Sequence, residues 1–434
     1  MTNNTPITSL SDAAAARANL LEATDQRLSD IQSEIDDLAY ELYGIGDEDR
    51  AAIEAMLGQG SDEAAGEAED DDDGEAPTAN TPELVSELLD YCVGCCFGRW
   101  DIRCATGEKP EPAEPDPFDP LPVCAPGMLQ NDAGYPAAPA DVPGNYSLRI
   151  SWPGILVDDE TSPEDIVTRT REALDIIWAG QGAAIEEEAC QLLGVKSLRD
   201  FFQKPSAYFD DHLKRFSKSR RKAPLYWPLS THSGKYTLWL YYHRLTDQTL
   251  YACVNDFVEP KIARVVEEAT NLRVKSDRSR AEDKRLEKLI DAEAELKDLR
   301  DELLRIAAFW KPNLNDGVQI TAAPLWSLFK LASWKSALKK TWKELEAGKY
   351  DWSHLAMAIW PSRVVPACQK DRSFAIAHGL DKELWHEVNV QKQSKGGSVV
   401  SKKEWVARQL TESELAEVEA QVQSRPYSPT GVSE

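Results

Sequence analysis

The side chains best suited to a chemical task lie between residues 213 and 244. Leu213–Lys222 reads Leu-Lys-Arg-Phe-Ser-Lys-Ser-Arg-Arg-Lys, six cations with no carboxylate. Tyr226, Trp227, His232, Lys235, Tyr236, Trp239, Tyr241, Tyr242 and Arg244 follow closely. Cations neutralise phosphates and release counterions, while aromatic faces stack on unpaired bases, so this combination suits nucleic acid. Lys214, Arg215, Lys218, Arg220, Arg221 and Lys222 are the candidate DNA-phosphate contacts, with Tyr226, Trp227 and Lys235 as weaker candidates. A plain structural reading stands beside this one. Alternating aromatics on a hairpin pack a core, and a basic run is often only a solvated face.

Other constellations carry less. Cys92, Cys95, Cys96, Cys104 and Cys124 fall within 33 residues, and Cys92-Val-Gly-Cys95 has zinc-ligand spacing. The second close couple that a structural zinc site uses is missing, and Cys92 and Cys96 fall on an apolar helix face, so core packing is favoured over metal. Gly44-Ile-Gly46, Gly58-Gln-Gly60 and Gly180-Gln-Gly182 follow helical patterns rather than strands. They read as helix ends, not phosphate loops. Gly-x-Ser-x-Gly is absent, and the six histidines are scattered. No catalytic, cofactor-binding or metal-binding residue is assigned.

The elements that must position these groups follow from composition and periodicity. The chain has 434 residues and a net charge of −25, with 24 Asp/Glu against 3 Lys/Arg in residues 1–90 alone. The acidity is therefore local, and the nearly neutral remainder leaves room for a basic site. No apolar run approaches the roughly 20 residues that span a bilayer. Met1–Asn19 has no charged-then-apolar signal pattern, and eight cysteines are too few for a disulfide scaffold, so a cytoplasmic protein is expected.

The fold class expected is α+β and predominantly helical: helical hairpins around a small β-hairpin or sheet unit, with an acidic disordered linker and a disordered C-terminal tail. Residues 1–57 form an N-terminal helical segment. Its seam of Leu21, Thr24, Leu28, Ile31, Ile35, Leu38 and Leu42 is suited to packing lengthwise on another helix, either in a missing half outside this chain or in the pair at 258–310. Residues 58–81 are too acidic for a core and read as linker. Residues 82–257 hold an apolar helix, then ten prolines between 109 and 143 in an ordered wrap where Phe118, Leu121, Val123 and Met128 interleave. A strand pair (147–152 and 155–157), helices near 163–178, 183–193 and 197–202, and a hairpin of 225–230 with 235–242 follow. Residues 258–310 form an antiparallel helical pair, 311–390 a Trp-rich helical region, and 391–434 a polar tail with one possible helix from 402 to 423.

Longer stretches resemble a known family. Cys96-Phe-Gly-Arg-Trp-Asp-Ile-Arg103, Ala105-Thr-Gly-Glu108, Pro115-Asp-Pro-Phe-Asp-Pro-Leu-Pro122 and Pro126-Gly-Met-Leu129 belong to this likeness. So do Ser151-Trp-Pro-Gly-Ile-Leu-Val-Asp-Asp159, Ala223-Pro-Leu-Tyr-Trp-Pro-Leu-Ser230 and Tyr236-Thr-Leu-Trp-Leu-Tyr-Tyr-His-Arg-Leu-Thr-Asp247. Asp316-Gly-Val-Gln-Ile320, Tyr350-Asp-Trp-Ser-His-Leu-Ala-Met357, Ser373-Phe-Ala-Ile-Ala-His-Gly379 and, near the N-terminus, Ile35-Asp-Asp-Leu-Ala-Tyr-Glu-Leu-Tyr-Gly44 continue it. Together they resemble the C-terminal, target-recognition half of adenine-specific DNA methyltransferases of the BREX and DISARM phage-defence systems and their type IIG restriction-modification relatives.

Those enzymes move a methyl group from S-adenosylmethionine to adenine N6 on a flipped base. Their glycine cofactor loop and Asn/Asp-Pro-Pro-Tyr/Phe motif have no counterpart here, since the chain contains no Pro-Pro dipeptide. The resemblance therefore implies a DNA-recognition and assembly portion without its own chemistry. Its expected partners are DNA and a catalytic methyltransferase half or other defence-system subunits. No cofactor is expected on this chain, and S-adenosylmethionine is expected on the catalytic partner. The alternative is a scaffold subunit of a defence complex that does not bind DNA.

Overall fold

Caps written into the sequence set the helix boundaries. In the computed structural model, which describes residues 9–63, 80–110, 116, 118–219, 221–393 and 399–429, Ser9 accepts from the Asp12 N–H to open α1 (Leu10–Tyr43), and Gly44 at φ 64° closes it. Next come α2 (Asp47–Glu63), α3 (Thr81–Cys96, capped by Asn80) and α4 (Ile102–Thr106). A short strand β1 (Ile155–Val157) leads to α5 (Ile166–Ile177), α6 (Gly182–Leu193), α7 (Leu198–Gln203) and α8 (Tyr208–Arg215). Of the expected acidic linker, residues 64–79 lie outside the described residues, and 58–63 belong to α2.

The centre is a three-stranded antiparallel sheet in the order β1-β5-β4, with β4 at Tyr226–Ser230 and β5 at Thr237–Tyr241. Both of its faces are covered, so every residue of β4 and β5 is buried. Tyr226, Trp239 and Tyr241 share one face, against Phe97 at the end of α3 and Tyr208 of α8. Trp227 on the other face meets Tyr242 and Phe329. β1 pairs with β5, placing Ile155 opposite Leu240. The partner expected for it, residues 147–152, forms no strand, because Ser151 instead hydrogen-bonds the Cys96 carbonyl through its N–H and the Ile155 carbonyl through its hydroxyl.

Beyond the sheet, α9 (Thr249–Ala252) and a π turn (Cys253–Val258) run into α10 (Glu259–Val274), which packs antiparallel on α11 (Arg280–Ala307). Arg285–Glu268 and Arg300–Glu259 ion pairs lace the two. Leu296, Leu299, Leu303, Ile306 and Trp310 are buried, as the period of α11 requires. The Trp-rich region holds α12 (Val318–Ala322), α13 (Ala332–Glu346), α14 (His354–Ile359), α15 (Pro361–Lys370), α16 (Arg372–Ala377) and α17 (Asp381–Leu384). Among the described residues no helix is long and apolar enough to cross a membrane.

Three expectations are corrected. Among the described residues the α1 seam does not pack on the pair at 258–310: only Leu10 and Ala14 of α1 are buried, while Leu28, Ile31, Ile35, Leu38 and Leu42 stand in solvent. In the proline-rich wrap, Phe118, Leu121 and Val123 are exposed, since prolines hold the chain extended there. Packing begins only at Cys124, with Leu129, Ala137 and Ile150 forming a satellite core. The polar tail is structured where described. Trp385–Gln393 (β6) and Val399–Ala407 (β7) pair as a ribbon, and α18 (Glu412–Ser424) follows. The exposed stretches of that ribbon keep a polar composition that masks its alternation, and Val418 and the Tyr427–Pro312 hydrogen bond return the chain to the core.

Gly94 marks the tightest approach in this assembly. A Cβ there would lie 2.4 Å from Trp100 Cδ1 and 2.7 Å from the Tyr226 hydroxyl. Gly94→Ala should therefore lower stability by about 1–3 kcal/mol despite alanine's better helix propensity. Thermal unfolding would check this, and an unchanged or higher midpoint would contradict it.

Candidate nucleic-acid interface

The basic run is positioned by a buried polar joint. His212 on α8 is fully buried. Its Nε2 accepts N–H bonds from Leu225 (2.9 Å) and Tyr226 (3.0 Å), which places its proton on Nδ1, facing Asp90 Oδ1 of α3 at 2.6 Å. Tyr208 donates its hydroxyl to the same Asp90 oxygen at 2.9 Å. Burial alone would raise the Asp90 carboxyl, but His212, Arg215 and Tyr208 around it hold it below its ordinary value. Three elements are thus tied at one point: α3, the end of α8 and the start of β4.

The chain between the two tied ends has nowhere to go but outward. Ser217–Lys218 (β2) and Arg221–Lys222 (β3) form a small antiparallel ribbon in which Lys218 opposes Arg221. At the tip, Ser219 has φ 52°, in the left-handed region. Lys218 and Arg221 are exposed and Lys222 is half-buried. No carboxylate pairs with any of the three among the described residues. Arg220 lies outside the described residues.

The remaining candidates part company with this group. Lys214 is exposed but pairs with Asp210 at 2.8 Å. Arg215 turns inward, 3.5 Å from Asp90 and 3.8 Å from Glu87, and serves the joint. Tyr226 and Trp227 are fully buried, which corrects their assignment: a side chain packed on Phe97 or Phe329 has no free face for a base. Lys235 is exposed but sits in the turn at the far end of β4, where Ser233 donates to Glu295, so the structure does not bring it to the ribbon.

The structure adds residues that the basic run did not announce. The Arg99 guanidinium lies over the rings of Trp100 (4.6 Å) and Phe216 (5.2 Å), beside the start of the ribbon, and its buried Nη1 has no hydrogen-bond partner among the described residues. Arg244 lies over Trp152, and its guanidinium donates to the Ala137 carbonyl. Between these cations His243 contacts the Tyr241 hydroxyl through Nδ1 at 3.2 Å. Desolvation, reinforced by Arg99 and then Arg244, pushes its pKa down to about 4, although the residue as a whole is exposed. Cations without carboxylates are costly where partly buried, and an anion would relieve that cost. The signal in the sequence was Gly98-Arg-Trp100, read there only as part of a longer likeness.

The other candidate chemistries meet closed surroundings. Cys92, Cys95 and Cys96 are buried in α3, and burial raises all three thiols, Cys96 to about 12. His212, beside a carboxylate, has the look of a catalytic base, but two backbone N–H groups occupy the lone pair a base would use. Among the described residues, no three or more His, Cys, Asp or Glu side chains converge as metal ligands.

The joint makes a pH-dependent prediction. Asp90→Asn should cost about 1–3 kcal/mol near neutral pH, because a buried charge-assisted partner is lost. Asp90's folded pKa lies below its ordinary value of 3.8, so its contribution is present above that value and fades as pH falls through the folded one. Urea unfolding of the two proteins should therefore give curves that differ near neutrality and converge in acid. A difference that grew on acidification would refute the assignment.

No family model matches the chain. It is similar to the adenine-specific methyltransferase BrxX of Escherichia coli O9:H4 (strain HS), being 25% identical over 265 residues. The likeness covers 55% of this chain and 20% of that protein, so the chain spans only about a fifth of the relative's length.

Proposed function

We propose that this chain is a DNA-gripping portion of an adenine-specific methyltransferase system of the phage-defence or restriction type. The observation that carries the reading is the ribbon of Lys218, Arg221 and Lys222, pinned at its base and free of carboxylates, beside Arg99 over its two rings. Such cations take phosphate oxygens, and the rigid base fixes where along a duplex they act. The likeness to a methyltransferase supports the same reading from the sequence side. Methyl transfer itself, with its S-adenosylmethionine, would belong to a catalytic partner or segment carrying the glycine loop and the Asn-Pro-Pro-Tyr type motif.

Phosphate contacts set orientation without reading sequence, so target choice would come from other side chains on this face. Arg99 and Arg244, stiffened by Trp100, Phe216 and Trp152, are placed to take a phosphate near the ribbon. The buried aromatics of β4 and β5 serve the reading indirectly, as the floor that keeps these cations in place.

Salt titration tests the proposal. Changing Lys218, Arg221 and Lys222 to Gln should weaken duplex binding and reduce the slope of log affinity against log salt by about 2 to 3, near 0.9 for each lost phosphate contact. An unchanged slope would remove the ribbon from the interface. The neutral imidazole of His243 supplies a second readout. Added duplex should move its titration upward from about 4, because a phosphate nearby favours the charged form. A titration that stays in place with DNA bound would separate the Arg99–Arg244 cluster from the ribbon.

A further inference from the structure

The apolar seam of α1 has no partner among the described residues. Leu28, Ile31, Ile35, Leu38 and Leu42 are 59%, 41%, 53%, 59% and 81% exposed. The helix is rooted only at its start, where Leu10 and Ala14 are buried and the N–H groups of Leu10 and Ser11 donate to Glu188. Thirty-four residues make a rod of about 50 Å, most of it standing clear of the body. α2 does not cover the seam. Its Arg50 reaches Asp37 and the Tyr40 ring, which lie on the side of α1 away from the apolar row.

The spacing of that row is the coiled-coil one. Leu21, Leu28, Ile35 and Leu42 take one core position, and Thr24, Ile31 and Leu38 take the other. Charges on the flanks decide what can lie there. From residue 21 to 43 the helix carries seven carboxylates and a single cation, Arg27. Arg27 and Glu34 occupy equivalent flanking positions one heptad apart, and neither has an ion pair within the described residues.

We infer that α1 pairs antiparallel with α1 of a second copy of this chain, through Leu21, Leu28, Ile31, Ile35 and Leu38, with Arg27 of each copy facing Glu34 of the other. In this register Leu21 opposes the second copy's Leu38, Leu28 its Ile31, and Ile35 its Thr24. The flanks then set Arg27 against Glu34 twice, Asp25 against Gln32 twice, and Leu20 against Glu41, with no like charges opposed. A parallel pairing would set Arg27 against Gln32 and Glu34 against Ala39, leaving the lone cation unused. Asp36 and Asp37 lie outside the seam in either arrangement. The pairing is isologous, so each favourable contact is made twice about one two-fold axis.

Sedimentation equilibrium of the full chain without DNA tests this from about 1 to about 100 μM, and does so independently of the DNA reading. A concentration-dependent dimer is expected. Ile31→Glu, at an exposed position where folding is not at stake, should weaken it by about tenfold or more. Arg27→Glu and Glu34→Arg should each weaken it by about threefold or more, and the double exchange should restore it. A monomer throughout the range would overturn the proposal, as would a dimer indifferent to Ile31→Glu. A double exchange no better than the singles would overturn the antiparallel register and point to a parallel pair. Binding of a different protein along the seam, with the chain otherwise monomeric, would also overturn it.

Discussion

His212 has two ring nitrogens, and the fold uses both. One holds a carboxylate from a helix more than a hundred residues earlier; the other holds the amides of Leu225 and Tyr226, where β4 begins. Every partner is buried, so each unmade bond would cost the full price of desolvation. The consequence is geometric. α8 ends where it must, β4 begins where it must, and the residues between them are forced into a tight turn over solvent. Six cations occupy that stretch or the helix end before it, and the joint decides which of them remain free. Arg215 is drawn down to Asp90, Lys214 is held by Asp210, and Lys218 and Arg221 beyond Phe216 are exposed.

The same packing explains why the aromatic residues are not available to a ligand. A three-stranded sheet covered on both faces turns every side chain of β4 and β5 inward, so Tyr226, Trp227, Trp239 and Tyr241 become core. What reaches the surface is the second rank: Trp100 and Phe216, which lend faces to Arg99, and Trp152, which does so for Arg244. A guanidinium over two rings keeps its edge directed and loses little freedom when it meets an anion. Stiffness of this kind gives a phosphate contact its positional value.

The sequence was most legible where local and tertiary demands agree. The hairpin of β4 and β5, the α10–α11 pair and the helices at 166–177, 182–193 and 198–203 are recognisable from period, caps and turn residues, within a few residues of their observed ends. It was least legible where one periodicity admits two environments. The α1 heptads announce a seam but not what fills it, and the structure leaves that seam in water. The ribbon of β6 and β7 was hidden by its polar composition. The site was readable as a basic run, but not in its internal division: whether a lysine pairs with a carboxylate four residues away or an arginine turns inward depends on contacts such as Asp90 to Arg215 that span a hundred residues. Arg99 could not be singled out, because its importance comes from Phe216, which only the fold brings to it.

Charge distribution raises one apparent contradiction, a proposed DNA-gripping face on a chain of net charge −25. Range resolves it. At physiological ionic strength, exposed charges more than about 8–10 Å apart are largely screened from one another. The carboxylates of α1 are spread along a rod whose far end lies about 44 Å from its root at Ala14. Those far along the rod therefore add little to the potential near its root, whereas Lys218, Arg221, Lys222 and Arg99 would act on a phosphate at contact range. The nearer acids, Asp210 and Asp211 on α8 and Glu87 on α3, are the ones that matter. Asp210 and Glu87 already lie against Lys214 and Arg215, and Asp211 accepts from the Ser86 hydroxyl. An acidic arm and a basic ribbon can thus share one molecule without cancelling. In the proposed function the arm would repel other polyanions at long range in low salt, and the ribbon would hold a polyanion once contact is made.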